Sequence, residues 1–177
     1  MTFIPIRIIP DPVLRQVAQP VARVDQRVAR FMEDMVESMY RGNGIGLAAN
    51  QVGSLERVVT LDISEARDGR QAIMMANPAI TWFDPEETFT YREGCLSIPD
   101  QYAEVTRPKR IRVSYLDQRG KERELEAEDL MSQCIQHEID HLNGILFIDY
   151  LSKLKRSIIE RKVEKAQRLG NDDDHIL

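Results

Sequence analysis

The segment Gln136-His137-Glu138-Ile139-Asp140-His141 constrains this chain more than any other. Two of its three histidines stand four residues apart here. Only an α-helix places such a pair one above the other on a single face, where both imidazoles can hold one metal ion. A chain that uses the pair must fold a late helix against some other segment that delivers a third ligand. The flanks agree with a helix: Glu128 and Asp129 suit a first turn, and Asn143-Gly144 a stop. Leu130, Cys134, His137 and His141 return close to one azimuth, so the imidazole face is continuous with an apolar one. The competing readings are a chance HExxH on a solvated helix and a satisfied core histidine, and the latter explains one position on such a face more easily than two.

Glu138 follows the first histidine and points off the ligand line, which suits a carboxylate that takes a proton from water and passes it to a leaving group. For the third ligand, Cys95 in Glu93-Gly94-Cys95-Leu96-Ser97 is preferred. It follows a β-like run and a glycine that permits close backbone approach, whereas Cys134 lies within the helix itself. A zinc endopeptidase would instead complete HExxH with a downstream glutamate. Glu160 is the candidate, but it sits among basic residues where a solvated charge is the simpler explanation.

The rest of the chain reads as α+β: mostly antiparallel sheets around the HExxH helix, with one helix before them and one after. Val28, Met32, Met35, Val36 and Met39 recur at helical spacing, with Asp25 as N-cap, and predict a helix over 26–41. Short β-favouring runs follow at 57–63, 72–76, 79–83, 88–92, 102–106 and 110–116, and Asp117-Gln118-Arg119-Gly120 suits a hairpin into 121–125. A final helix is expected over about 152–168, with Leu154, Ile158, Ile159 and Val163 as its apolar stripe, before a frayed tail at 171–177. No linker or repeat divides residues 1–177, so one catalytic domain is expected. A net charge of −5 argues against DNA binding through the whole surface, and no apolar run suits a membrane. Without an export signal the chain is expected to be cytoplasmic, with its two cysteines reduced.

Three separated motifs carry a resemblance. Gly44-Ile45-Gly46-Leu47-Ala48-Ala49-Asn50-Gln51 matches GxGxAAxQ, Glu93 to Ser97 matches EGCLS, and Gln136 to His141 matches QHExDH. In this order they resemble the peptide deformylase family. The resemblance implies one divalent ion held by Cys95, His137 and His141, ferrous iron in the cell, with zinc, nickel or cobalt acceptable in preparations. It implies Glu138 as general base, and the Gln51 amide with the Leu96 backbone N–H as donors to the developing oxyanion. It also implies an N-formyl-methionyl nascent peptide as substrate. Gly44 and Gly46 would let the chain pass close to it, and Ile45, Leu130 and Cys134 would line the methionine pocket. Glu93, Arg107 and Asp140 are candidates for orienting the ligands. Tyr102 stands where some members carry a basic residue. The helix from Lys153 to Arg168 has seven basic residues against two glutamates, and is a candidate for docking on the ribosome.

Overall fold

The computed structural model describes residues 2–66 and 71–173. Helix α1 spans Gln26–Arg41 and begins where its sequence says it should: the Asp25 side chain accepts a hydrogen bond from the Val28 N–H. Strand β1 (Gly46–Ala48), a 3₁₀ turn (Ala49–Val52) and β2 (Val58–Leu61) follow. Then come β3 (Ile73–Phe83), β4 (Thr88–Cys95), β5 (Ile98–Pro108), β6 (Arg110–Leu116) and β7 (Glu122–Glu128). Helix α2 (Asp129–Leu142) carries the HExxH segment, and α3 spans Lys153–Asp173. The fold is α+β. Among the described residues, one sheet has the order β1-β2-β3-β6-β7 and a second is the β4-β5 hairpin, with every pairing antiparallel.

Alternation along the short strands sorts side chains to the two faces of the five-stranded sheet. Val58 of β2 and Leu47 of β1 pack toward α1, with Val28, Met32, Met35 and Met39. Their neighbours Val59 and Ala48 pack to the other face, with Cys134, Ile135, Ile139 and Leu142 of α2. Helix α2 also touches β4 and β5, so it lies against strands of both sheets. A third apolar cluster joins Ile98 and Val105 of the hairpin to Phe147, Ile148 and, from α3, Ile159 and Val163.

Several boundaries differ from the sequence expectation. The runs at 72–76 and 79–83 form one strand, because Asn77 adopts a left-handed φ of 52° and the ladder shifts between Ala76 and Ala79 instead of breaking. The Asn77 side chain secures this bulge by bonding both the N–H and the carbonyl of Val21. Gly46-Leu47-Ala48, which none of the expected β-favouring runs includes, pairs with β2 as an edge strand. Among the described residues of α3 only Ile159 and Val163 are buried; Leu154 and Ile158 are exposed, since the helix meets the body along a narrow line. The same helix continues to Asp173, into the stretch expected to fray, with the Glu164–Arg168 pair one turn apart supporting its end. Residues 174–177 of that tail lie outside the described residues.

Candidate metal centre and its cleft

Strand β4 ends at Cys95, and a two-residue turn of Leu96 and Ser97 reverses the chain into β5. This places the Cys95 thiol over α2. Cys95 Sγ lies 3.2 Å from His141 Nε2, and His141 Nε2 lies 3.2 Å from His137 Nε2. The three donor atoms all fall within 4.8 Å of one another. Tetrahedral coordination with metal–nitrogen bonds near 2.05 Å and a metal–sulfur bond near 2.3 Å separates N from N by about 3.3 Å and N from S by about 3.6 Å. One thiolate and two imidazoles at these separations fit a single cation. Glu160, the alternative third ligand, instead accepts from Arg156 Nε at 3.0 Å within α3.

The imidazoles are prepared for ligation. His137 Nδ1 faces Glu93 Oε2 at 2.8 Å; a carboxylate only accepts, so Nδ1 carries the proton and the Nε2 lone pair faces the cluster. Burial favours neutral His137, but its bonds to Cys95 and Glu93 outweigh it and raise its pKa above the ordinary range in the metal-free protein. A cation binding at Nε2 would therefore displace a proton there. Burial, followed by the charge of His137, drives His141 well below it.

Glu93 is anchored in turn by Arg107, whose Nε and Nη2 reach its two oxygens at 2.6 and 3.1 Å. Arg107 Nη1 reaches Asp140 Oδ2 at 2.7 Å and the Tyr150 hydroxyl at 3.2 Å, and Tyr150 donates to the same Asp140 oxygen. Burial raises the Glu93 carboxyl, but His137 and Arg107 together bring it down to about 2. Glu93, Arg107 and Asp140 thus form one connected network beneath His137. Gln133 and Tyr150 complete it and were missed by sequence reasoning. Gln133, which donates to Glu93 and to the Val105 carbonyl, stands one helical turn before His137, and that spacing was a usable signal. Tyr150 had none, because it comes from the turn after α2.

Glu138 is buried, with its Oε2 unpaired among the described residues. Burial, above all, raises its carboxyl to about 7. Gly46 is required beside it: a Cβ there would collide with Glu138 Oε1 and come within 2.9 Å of Cys134 Sγ. Gln51 enters from the 3₁₀ turn. Its Oε1 accepts from the Ala48 N–H at 2.9 Å, which fixes the amide so that Nε2 faces Ser97 Oγ at 3.1 Å and Cys95 Sγ at 3.5 Å.

These groups open on a cleft of about 590 Å³. Gly44, Ile45 and Gly46 form one wall, the hairpin with Cys95, Leu96 and Tyr102 the other, and Leu130, Cys134, His137 and Glu138 line the cleft from α2. His141 is not among the lining residues and sits almost fully buried behind them. The expected ligand, base, oxyanion and pocket residues therefore line this cleft or, for His141, sit directly behind it. Arg107 and Asp140 do not line it, and Glu160 lies apart in α3. Among the described residues no helix is long and apolar enough to cross a membrane.

Residues 3–157 match the family model of polypeptide deformylase. A peptide deformylase of Methylocella silvestris is 53% identical over 172 residues, covering 96% of this chain and 87% of the relative. One from Bartonella henselae is 46% identical over the full length of both. In three dimensions the chain superposes on the crystal structure of peptide deformylase from Ehrlichia chaffeensis with a TM-score of 0.90 at 36% identity, covering 96% of this chain and 99% of that one.

Proposed function

The chain belongs to the polypeptide deformylase family and removes the N-formyl group from nascent peptides, and we propose that it does so by metal-assisted hydrolysis in the cleft above α2. The convergence of Cys95, His137 and His141 beside an unpaired buried carboxylate carries this reading. A divalent ion bound there supplies a Lewis acid and makes water a nucleophile near neutral pH. We take the ion to be ferrous iron in the cell, with zinc, nickel or cobalt accepted by the same donor set.

Glu138 takes the proton from the attacking water and returns it to the departing amine nitrogen. The water oxygen first bonds to the formyl carbon, which becomes tetrahedral; the carbon–nitrogen bond then breaks as the carbonyl re-forms, giving formate and a free amino terminus. Charge gathers meanwhile on the former carbonyl oxygen, where the Gln51 amide and the Leu96 N–H donate. The Ala48 N–H holds the Gln51 amide in place before substrate arrives, so its Nε2 has only to exchange the long contact with Cys95 Sγ for the oxyanion. Ile45, Leu130 and Cys134 receive the methionine side chain of an N-formyl-methionyl chain, while Gly44 and Gly46 let the peptide backbone come close. The basic face of α3 docks on ribosomal RNA as the nascent chain emerges, and deletion of 153–177 should reduce co-sedimentation with ribosomes.

The test is anaerobic hydrolysis of a formyl-Met peptide, with metal analysis, for the wild type and Glu138→Ala. Retained metal with turnover lost is expected, and full activity in the variant would remove Glu138 from the mechanism. If Glu160→Ala lost the metal while Cys95→Ser kept it, the ligand set would be wrong.

A further inference from the structure

The cleft has a rim that the chemistry above does not use. Tyr102 of β5 pairs in register with Gly94 of β4, one residue before the metal ligand Cys95. The ring lies so close to Gly94 that a Cβ there would meet Tyr102 Cε1 at 2.5 Å. From the neighbouring position on the same face, Arg92 sets its guanidinium carbon 5.1 Å from the centre of that ring. Glycine, aromatic ring and guanidinium thus form a stack, and all three residues line the cleft.

Stacking fixes the Arg92 cation without neutralising it. Among the described residues it makes no ion pair, although Glu104 stands opposite it in register and Asp100 lines the same cleft. The buried Arg107 behind the cleft is by contrast taken up by Glu93 and Asp140. Arg92 lies three residues from Cys95 along an extended strand, a distance of about 10 Å. An extended peptide with its formyl group at Cys95 advances about 3.3 Å per residue and therefore brings its second or third side chain abreast of the guanidinium.

We propose that Arg92, held on Tyr102, reads the charge of the residue two positions after the formyl-methionine, favouring acidic over basic nascent chains. The proposal rests on the deformylase reading. A solvent-exposed charge of this kind is worth a modest factor per unit charge, strongest at low ionic strength.

The test compares kcat/KM for formyl-Met-Ala-Asp, formyl-Met-Ala-Ala and formyl-Met-Ala-Lys at low salt in wild type, Arg92→Gln and Arg92→Glu. A ratio cancels any uniform loss caused by the substitution. The Asp/Lys ratio should fall about fivefold in Arg92→Gln and further in Arg92→Glu, where the lysine peptide becomes the better substrate. In wild type the ratio should shrink in 0.5 M salt, to the order that about 4 Å screening allows. The same ratio in all three proteins would overturn the proposal. Failure of the wild type to hydrolyse even formyl-Met-Ala-Ala would sink the deformylase reading instead.

Discussion

Replacing Arg107 by methionine should cost about 3–5 kcal/mol of stability, because it leaves two carboxylates beneath the metal site without their cation. Methionine fills the volume of the arginine stem and adds no polar atom, so the loss reports charge and hydrogen bonding and leaves the packing largely alone. The magnitude can be checked against Glu93. A carboxyl held at about 2 instead of its ordinary 4.5 corresponds to about 3 kcal/mol, shared between His137 and Arg107, and the freed Asp140 adds to it. For a chain of this length the midpoint should drop by about 10 °C. Urea titration gives the free energy, and the pH dependence identifies its source. Because the folded pKa of Glu93 is depressed, its stabilisation is fully present above about 4.5 and is lost as pH falls toward about 2. The deficit of Arg107→Met should therefore be largest at pH 7 and should shrink below pH 5, where the orphaned carboxyl can protonate. Adding Glu93→Gln should restore part of the stability at pH 7 by removing the unpaired charge. A deficit under 1 kcal/mol, or a double variant no more stable than the single one, would refute the reasoning.

Gly46→Ala should fold yet lose at least about tenfold in kcat, since the new methyl displaces the Glu138 carboxylate; unchanged kcat on a formyl-Met peptide would contradict the contact. Glu138 carries a raised folded pKa of about 7, so charging it inside the metal-free protein opposes folding as pH rises from about 4.5 to about 7. Glu138→Gln should be the more stable protein at pH 7 and lose that advantage at pH 4.5, as read by denaturant midpoints in the presence of a chelator. Asp25→Ala removes the cap of α1 and should cost about 1 kcal/mol without altering kcat/KM, measured by thermal melting beside the activity assay.

The site was more legible in the sequence than the fold that carries it. A ligand pair spaced by one helical turn and a cysteine after a glycine are chemical signals in their own right, whereas Gln51, at the end of a small-residue run, was legible only through the resemblance of the three motifs to a known family. The strands gave up their positions but not their connections. Pro78 after Asn77 reads locally as a break, and only the bonds from Asn77 to Val21, across 56 residues, turn it into a bulge within one strand. Gly46-Leu47-Ala48 is too short and small to announce a strand, and becomes one because β2 offers an edge. Tyr150 joins the network under His137 by tertiary packing alone. The apolar stripe of α3 was overcounted for a related reason: spacing says which residues share a side, not how wide a strip the body covers.

The donors come from opposite partners, sulfur from the tip of a hairpin and nitrogen from a helix that is wedged against the larger sheet. An ion there would add a rivet at the hairpin tip, beyond the bonds by which Glu93 and Arg107 already hold the hairpin to His137 and Asp140. Chelation should loosen the riveted end first, so that amides near Gly94 and Ile98 exchange with solvent sooner while those of β2 and β3 keep their protection. On the metal-assisted reading proposed above, occupancy of the site would govern more than turnover, because it would also hold the hairpin end of the cleft in shape.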